Sequence, residues 1–307
     1  SKVGTVEVFK YKIPTSIEWI DSSVIGENVN LSRYSNTSKK YWVLMGNNIN
    51  GRNTGDEFGQ SVAIKYDGNI VAASSYKYSN NSGYVRILSY KIPTNNDWLH
   101  TDSIVVKGID MEQIVAKKYW VQMGSDIFGP LASKFGYNIK FNNEANIIVI
   151  GGPEYDNKLG IVKVYQWTNS WILKGSPLMG LSNSITGEFG KRVDINNNGM
   201  IIAVSAPYER FANPSGTGFG YVKVFEWDGN DWKQKGRTLQ GSSNGDNSGL
   251  GLSLNDVGDV IAIGEPGYNS SKGRTRIFKW NGNSWIIQGS IIGDNVNDFI
   301  VFVHECY

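Results

Sequence analysis

Few side chains in this 307-residue sequence have the type and setting that catalysis or metal binding demands. The histidines are His100 and His304, and the single cysteine is Cys306. A three-histidine metal site, a cysteine-rich zinc site and an internal disulfide framework are therefore excluded. His100 has no catalytic partner implied by spacing, and no carboxylate pair or nucleophile with a base stands out. The glycine-rich run Gly216-Thr217-Gly218-Phe219-Gly220 leads into a strand rather than a helix. It fails the context that a phosphate-cradling loop needs. Asp194-Ile195-Asn196-Asn197-Asn198-Gly199 places oxygen donors at alternate positions, as a calcium loop does. It offers one carboxylate and two amides, with no glutamate closing the loop, whereas calcium takes six to eight oxygens. A plain turn is the simpler reading. No catalytic residue, metal or cofactor is expected.

Binding chemistry is better supplied. Tyr76, Tyr155, Tyr208 and Tyr268 each follow an apolar run, and Tyr208 opens the longest of these loops, through Glu209, Arg210 and Phe211 to Pro214. Aromatic side chains beside arginine are typical contact residues. Tyr208, Arg210, Phe211, Tyr76, Tyr155 and Tyr268 are thus the candidate binding residues, although a recurring tyrosine serves equally well as a structural plug. The ten tryptophans suit stacking on sugar rings, but their regular placement reads more simply as packing. The net charge of +2 and the lack of a basic block argue against nucleic acid. No apolar run reaches the ~18 residues of a membrane span, so no membrane insertion is expected.

The elements that must position these residues form a repeat. The tryptophans pair in sequence as Trp19/Trp42, Trp98/Trp120, Trp167/Trp171, Trp227/Trp232 and Trp280/Trp285. A Trp-x3-Gly-x4-Gly phrase runs through Trp42-Gly46-Gly51, Trp120-Gly124-Gly129, Trp171-Gly175-Gly180 and Trp232-Gly236-Gly241; the fifth copy, Trp285-Gly289-Gly293, is one residue shorter. Anchors follow at Phe58-Gly59, Phe135-Gly136, Phe189-Gly190 and Ser248-Gly249, with Phe299 where a fifth would begin. Next come a turn such as Asp67-Gly68 or Asn198-Gly199, read as a two-residue hairpin, and an apolar run such as Ile147-Ile148-Val149-Ile150. An alternating run such as Val222-Lys223-Val224-Phe225 completes the unit. Four short antiparallel strands per copy predict an all-β protein, a propeller of about five four-stranded blades occupying 1–307 as one domain. Each Trp pair and each Phe-Gly anchor is expected to be buried between sheets. Inserts near 13–38 and 92–116 are expected on an outer edge or rim. The N-terminal blade starts at its third strand, and Phe299–Val303 is expected to close the ring by pairing there.

The stretch from Trp42 to Tyr90, with its Phe58-Gly59 anchor and Asp67-Gly68 turn, resembles the FG-GAP-type repeats of integrin α-subunit heads. It is more similar still to a variant found in marine microbes and in large DNA viruses of algae and protists. The resemblance implies a non-enzymatic propeller used for display, attachment or structure, extracellular or on a particle, above all a virion. The implied partners are other subunits of an assembly, a host receptor or a glycan. It places ligands on the rim formed by the loops between strands 2 and 3 and between blades. The alternatives are a glycan-binding lectin or adhesin and, less favoured, a propeller hydrolase.

Overall fold

The computed structural model describes residues 3–12, 24–25, 41–94, 97, 118–181, 186–210 and 218–295. It is a β-propeller of four-stranded antiparallel blades. Half a blade comes first, made of β1 (Val3–Val6), β2 (Phe9–Lys12), β3 (Val24–Ile25), β4 (Tyr41–Leu44) and β5 (Ile49–Thr54). β1 pairs β5 and β2 pairs β4, so these are third and fourth strands, each broken in the middle. β3, from the first insert, lies on the other edge of β4 and covers it.

Three blades share one pattern. Blade 1 holds β6 (Val62–Ile64), β7 (Ile70–Ser75), β8 (Tyr84–Lys91), β9 (Tyr119–Gln122) and β10 (Ile127–Phe128). Blade 2 holds β11 (Asn138–Phe141), β12 (Ile147–Gly152), β13 (Ile161–Trp167), β14 (Trp171–Leu173) and β15 (Leu178–Met179). Blade 3 holds β16 (Val193–Ile195), β17 (Ile201–Ala206), β18 (Tyr221–Trp227), β19 (Trp232–Gln234) and β20 (Leu239–Gln240). In each, the last two pieces pair with one long third strand, forming a fourth strand interrupted by a turn. Blade 4 differs: β21 (Gly251–Leu254), β22 (Val260–Glu265) and β23 (Arg274–Trp280) end in an unbroken β24 (Trp285–Ile292).

Hydrophobic cores lie between successive blades rather than within one. Ile147 and Val149 of β12 pack toward Val193, Ile202 and Trp232 of blade 3. Their neighbours Ile148 and Ile150 pack the opposite way, against Val85 and Ile87 of blade 1. A second strand buried on both faces must be apolar at consecutive positions, which is why these runs do not alternate. The anchors Phe58, Phe135, Phe189 and Ser248 are all buried. Gly160 shows why glycine precedes the third strand. A side chain there would start 2.1 Å from the Phe189 carbonyl oxygen of the next blade.

The Trp-Gly phrase is the other joint. Trp120 Nε1–H donates to the Met45 carbonyl, Trp171 to Met123, Trp232 to Lys174 and Trp285 to Lys235, at 2.7, 2.8, 2.8 and 2.9 Å. Each acceptor belongs to the preceding blade and stands just before the first glycine of its phrase. That glycine is left-handed, as at Gly236 with φ +74°, and a Cβ there would fall 2.9 Å from Trp285. The second glycine donates its N–H to the glycine opening the third strand, as Gly241 does to Gly220 at 3.0 Å. Lys174 and Lys235 also lie over Trp227 and Trp280 of the next blade, at 3.9 and 4.8 Å.

The sequence pairing of the tryptophans needs correction. Trp42 pairs across strands with Tyr11, and Trp120 with Tyr90, where later blades have Trp167, Trp227 and Trp280. Trp19 and Trp98 lie outside the described residues. Nor are all the tryptophans buried: Trp120, Trp232 and Trp285 are, but Trp42 is 56% exposed. The 1–2 turns are not two-residue hairpins either. Only one residue per turn is left-handed, Gly68, Ala145, Gly199 or Gly258, whereas the tight hairpin turn expected there needs two. The amide of that residue bonds to the carbonyl three positions back, as Gly199 does to Asn196, giving a four-residue loop. Most of both inserts, and the segment Phe299–Val303, lie outside the described residues. Among the described residues no strand joins blade 4 to the half-blade.

Removing an indole joint should cost far more than removing an exposed one. Trp232→Ala is expected to destabilise by about 3–5 kcal/mol in urea unfolding. Trp42→Ala should change stability by less than about 1 kcal/mol. Equal losses at both positions would contradict this account.

Candidate functional site

The hub is built from the first strands of the blades. β6, β11, β16 and β21 lie side by side but form no ladder with one another, and side chains bridge between them. Ser61 Oγ accepts from Ile139 N–H at 3.2 Å, Asn138 Oδ1 from Val193 N–H at 2.8 Å, and Asp194 Oδ2 from Leu254 N–H at 2.7 Å. Asp194 Oδ1 accepts from Ile195 N–H at 3.0 Å. Both carboxylate oxygens of the supposed calcium loop thus hold backbone amides. Asn196 Oδ1 accepts from Met200 and Ile201 N–H, closing the turn, as Asn142 and Asn255 do in their blades. Among the described residues no group of three or more metal-ligating side chains comes together.

A polar hollow of about 360 Å³ opens on the face of these turns, lined by Lys65, Lys140, Asn142, Asp194, Asn197 and Asp256. Toward the opposite face a second hollow, about 320 Å³, is lined by Asn138, Lys140 and Arg192. Sequence reasoning did not single out either hollow, although the first gathers the repeated 1–2 turns, with Tyr66, Asn143, Asn197 and Asp256 at equivalent positions.

The opposite face carries the candidate binding residues, and the structure sorts them into two groups. Tyr155 and Tyr268 occupy equivalent positions in a tight turn before the third strand. The residue matching them in blade 1 is Tyr78, not Tyr76. After each tyrosine come three left-handed residues, Ser79–Asn81, Asp156–Lys158 and Asn269–Ser271. The tyrosine carbonyl accepts from the following glycine, Gly83, Gly160 or Gly273. Such residues cost about 1–2 kcal/mol each for a non-glycine side chain, and Asn and Asp tolerate the region best. Two of these tyrosines make contacts within their own blades. The Tyr78 ring packs 5.0 Å from Tyr84, and Tyr268 lies 3.7 Å beneath the Arg274 guanidinium. Arg274 in turn pairs with Glu265 and Asp246.

Tyr76 and Tyr208 stand out of register with that turn, and they belong to one cluster. The Tyr76 ring meets Tyr137 edge-on at 5.6 Å. Lys191 Nζ lies 4.2 Å over Tyr137 and 5.4 Å over Tyr208, so that with Tyr76 the cluster spans three blades. Tyr76 Oη–H donates to Glu57 at 2.6 Å, and Lys77 pairs with the same carboxylate. These bonds, Lys77 first and Tyr76 next, hold the Glu57 pKa below its ordinary value. Glu188 bridges Lys191 and Lys158 at 2.8 and 3.0 Å. Burial works to lower the Lys191 pKa, but the hydrogen bonds to Glu188 and Tyr137 prevail and raise it. Tyr76, Tyr137, Tyr208 and Lys191 are all half-buried. Sequence reasoning missed Tyr137 and Lys191; both stand two residues after an anchor Phe, a position where the repeat varies (Gln60, Tyr137, Lys191, Leu250). Arg210 is half-buried beside buried Glu209, whose carboxylate accepts from the Arg210 amide at 3.1 Å. Phe211 lies outside the described residues.

No protein-family model matches the chain, and no curated protein matches it. Among solved structures it is similar to a Lactobacillus plantarum protein, at 9% identity and TM-score 0.48, over 87% of this chain and 66% of that one. It is also similar to TolB from Acinetobacter baumannii, at 11% and 0.42, over 81% and 47%. A third is the β-propeller domain of the Trilobed protease from Pyrococcus furiosus, at 12% and 0.38, over 79% and 59%. The chain spans less than two thirds of the length of each.

Since Asp194 is committed to amides, metal chelation should leave thermal stability untouched. Excess EDTA is expected to shift the melting temperature by less than a degree, whereas a bound structural ion would add its binding free energy to folding. A fall of several degrees, restored by calcium, would contradict the assignment.

Proposed function

We propose that the chain is a non-enzymatic interaction propeller whose contact surface is the rim cluster of Tyr76, Tyr137, Tyr208 and Lys191. The cluster carries this reading because it departs from the repeat. Fold maintenance places equivalent residues at equivalent positions, as at Tyr78, Tyr155 and Tyr268. The rim tyrosines come instead from non-equivalent positions of three blades and converge. Half-exposed tyrosines held by lysines and carboxylates offer rigid amphipathic area at little entropic cost, which suits a macromolecular partner. Three buried carboxylates support a non-catalytic role. Asp126 is spent on Arg52 and Arg86, Glu265 on Arg274 and Arg276, and Glu188 on two lysines.

The finer reading is attachment or structural service on a particle surface, a virion, with another subunit of the assembly or a host receptor as partner. It rests on the resemblance of the repeats to the FG-GAP type. A lectin is the second reading, favoured by the same tyrosine faces, which suit sugar rings. Mass spectrometry of purified particles should find the chain at fixed stoichiometry. Tyr137→Ala and Tyr208→Ala should weaken its retention on them at least tenfold while melting stays within a few degrees. Glycan-array binding abolished by the same substitutions would replace the particle reading with the lectin one. Retention unchanged in both variants would overturn the rim as the contact surface.

A further inference from the structure

Among the described residues, the fourth strand of blade 4 lacks the protection that the other fourth strands have. In the half-blade and blades 1 to 3 this strand is interrupted by the turn at its left-handed glycine. The one-residue deletion in the fifth phrase removes that turn. Gly289 is not left-handed, no atom stands within 4 Å of where its Cβ would be, and β24 runs unbroken through eight residues. A bulge at Gln288 accommodates the mismatch with β23, since Ile287 pairs Phe278 and Gly289 pairs Ile277.

Composition changes in step. Residues 120–129, 171–180 and 232–241 carry Asp126, then Lys174 with Pro177, then Lys233, Lys235 and Arg237, whereas 285–293 has no charged residue and no proline. The phrase at 42–51 is also uncharged, but there β3 covers the edge of β4. Among the described strands β24 pairs only with β23. Ile286, Ile287, Ile291 and Ile292 are 44%, 51%, 51% and 45% exposed. Folded proteins protect edge strands with interruption, charge, proline or a cover. Among the described residues only the bulge remains here.

We propose that β24 pairs edge to edge with β24 of a second copy of this chain, antiparallel and related by a twofold axis. Self-complementarity identifies the occupant. Two isoleucine pairs, Ile286-Ile287 and Ile291-Ile292, flank an uncharged centre of Gln288, Gly289 and Ser290. Reversing the strand therefore sets each isoleucine pair against the opposite pair of the other copy, with small or neutral groups at the axis. A twofold interface demands this property of a patch, because each surface must fit itself. Main-chain hydrogen bonds across the junction would supply affinity and the isoleucines register.

Sedimentation of the full chain over a range of concentrations tests the proposal. A reversible shift from 34.0 kDa toward twice that mass is expected. Ile287→Lys and Ile291→Lys should each weaken dimerisation at least tenfold without lowering the melting temperature, because both side chains are exposed. In a Cys306→Ser background, Gly289→Cys, which faces itself across the axis, should form a disulfide-linked dimer, and Arg237→Cys, in the turn that interrupts the fourth strand of blade 3, should not. A chain that stays monomeric at all concentrations would overturn the proposal. So would dimers indifferent to both lysine substitutions, or a monomer that dimerises only when residues 296–307 are removed, since the chain's own tail would then be the occupant.

Discussion

Everything else in this molecule depends on how one blade holds the next. A four-stranded sheet with apolar residues on both faces cannot stand alone in water, so each blade needs a neighbour on either side. Adjacent blades diverge from the hub and do not continue each other's ladders, and the contact must be fastened by other means. The outer fastening is the indole N–H of the second tryptophan on the carbonyl before the preceding blade's first phrase glycine. The inner fastening is a polar side chain on a first-strand amide, repeated as Ser61, Asn138 and Asp194. Between the two, aliphatic residues of the second and third strands fill the interface.

These fastenings explain why the repeat was so legible. Trp-x3-Gly-x4-Gly is a record of three contacts: an indole reaching backward, a turn that leaves room for the next indole, and an amide tied to the glycine at the head of the third strand. The apolar second strands followed from burial on two faces; the third strands, read as alternating, are buried on both faces too, with Tyr221 and Phe225 in one core and Val222 and Val224 in the next. What the sequence could not convey was position across blades. Tyr11 and Tyr90 replace tryptophan at the end of the third strand, and a search for tryptophan alone paired Trp42 and Trp120 with the wrong residues. The 1–2 turns looked tighter than they are because Asp-Gly and Asn-Gly are compatible with more than one loop length.

The candidate site divides along the same line. Tyr155 and Tyr268 recur at the head of a left-handed turn that delivers glycine to the blade junction, a local reason for their spacing that stands beside the binding reading. Tyr76 and Tyr208 recurred only approximately. Their offset from the turn lets them reach Tyr137 and Lys191 from neighbouring blades, a meeting that no single repeat encodes. Asp194 resembled a metal ligand because a first-strand carboxylate beside an Asn-rich turn is common to both uses. What distinguishes them here is that both carboxylate oxygens accept backbone amides, Oδ2 from Leu254 and Oδ1 from Ile195.

The central claim, that indole-to-carbonyl bonds join the blades in series, is tested most directly by hydrogen exchange at the tryptophan side chains. Nitrogen-15 NMR of the indole N–H groups should show Trp120, Trp171, Trp232 and Trp285 strongly protected, with protection lost together as the protein unfolds cooperatively. The Trp42 indole, with no accepting carbonyl among the described residues, should exchange near the solvent rate. Protection at Trp42 equal to that of the other four, or rapid exchange at all five, would contradict the account.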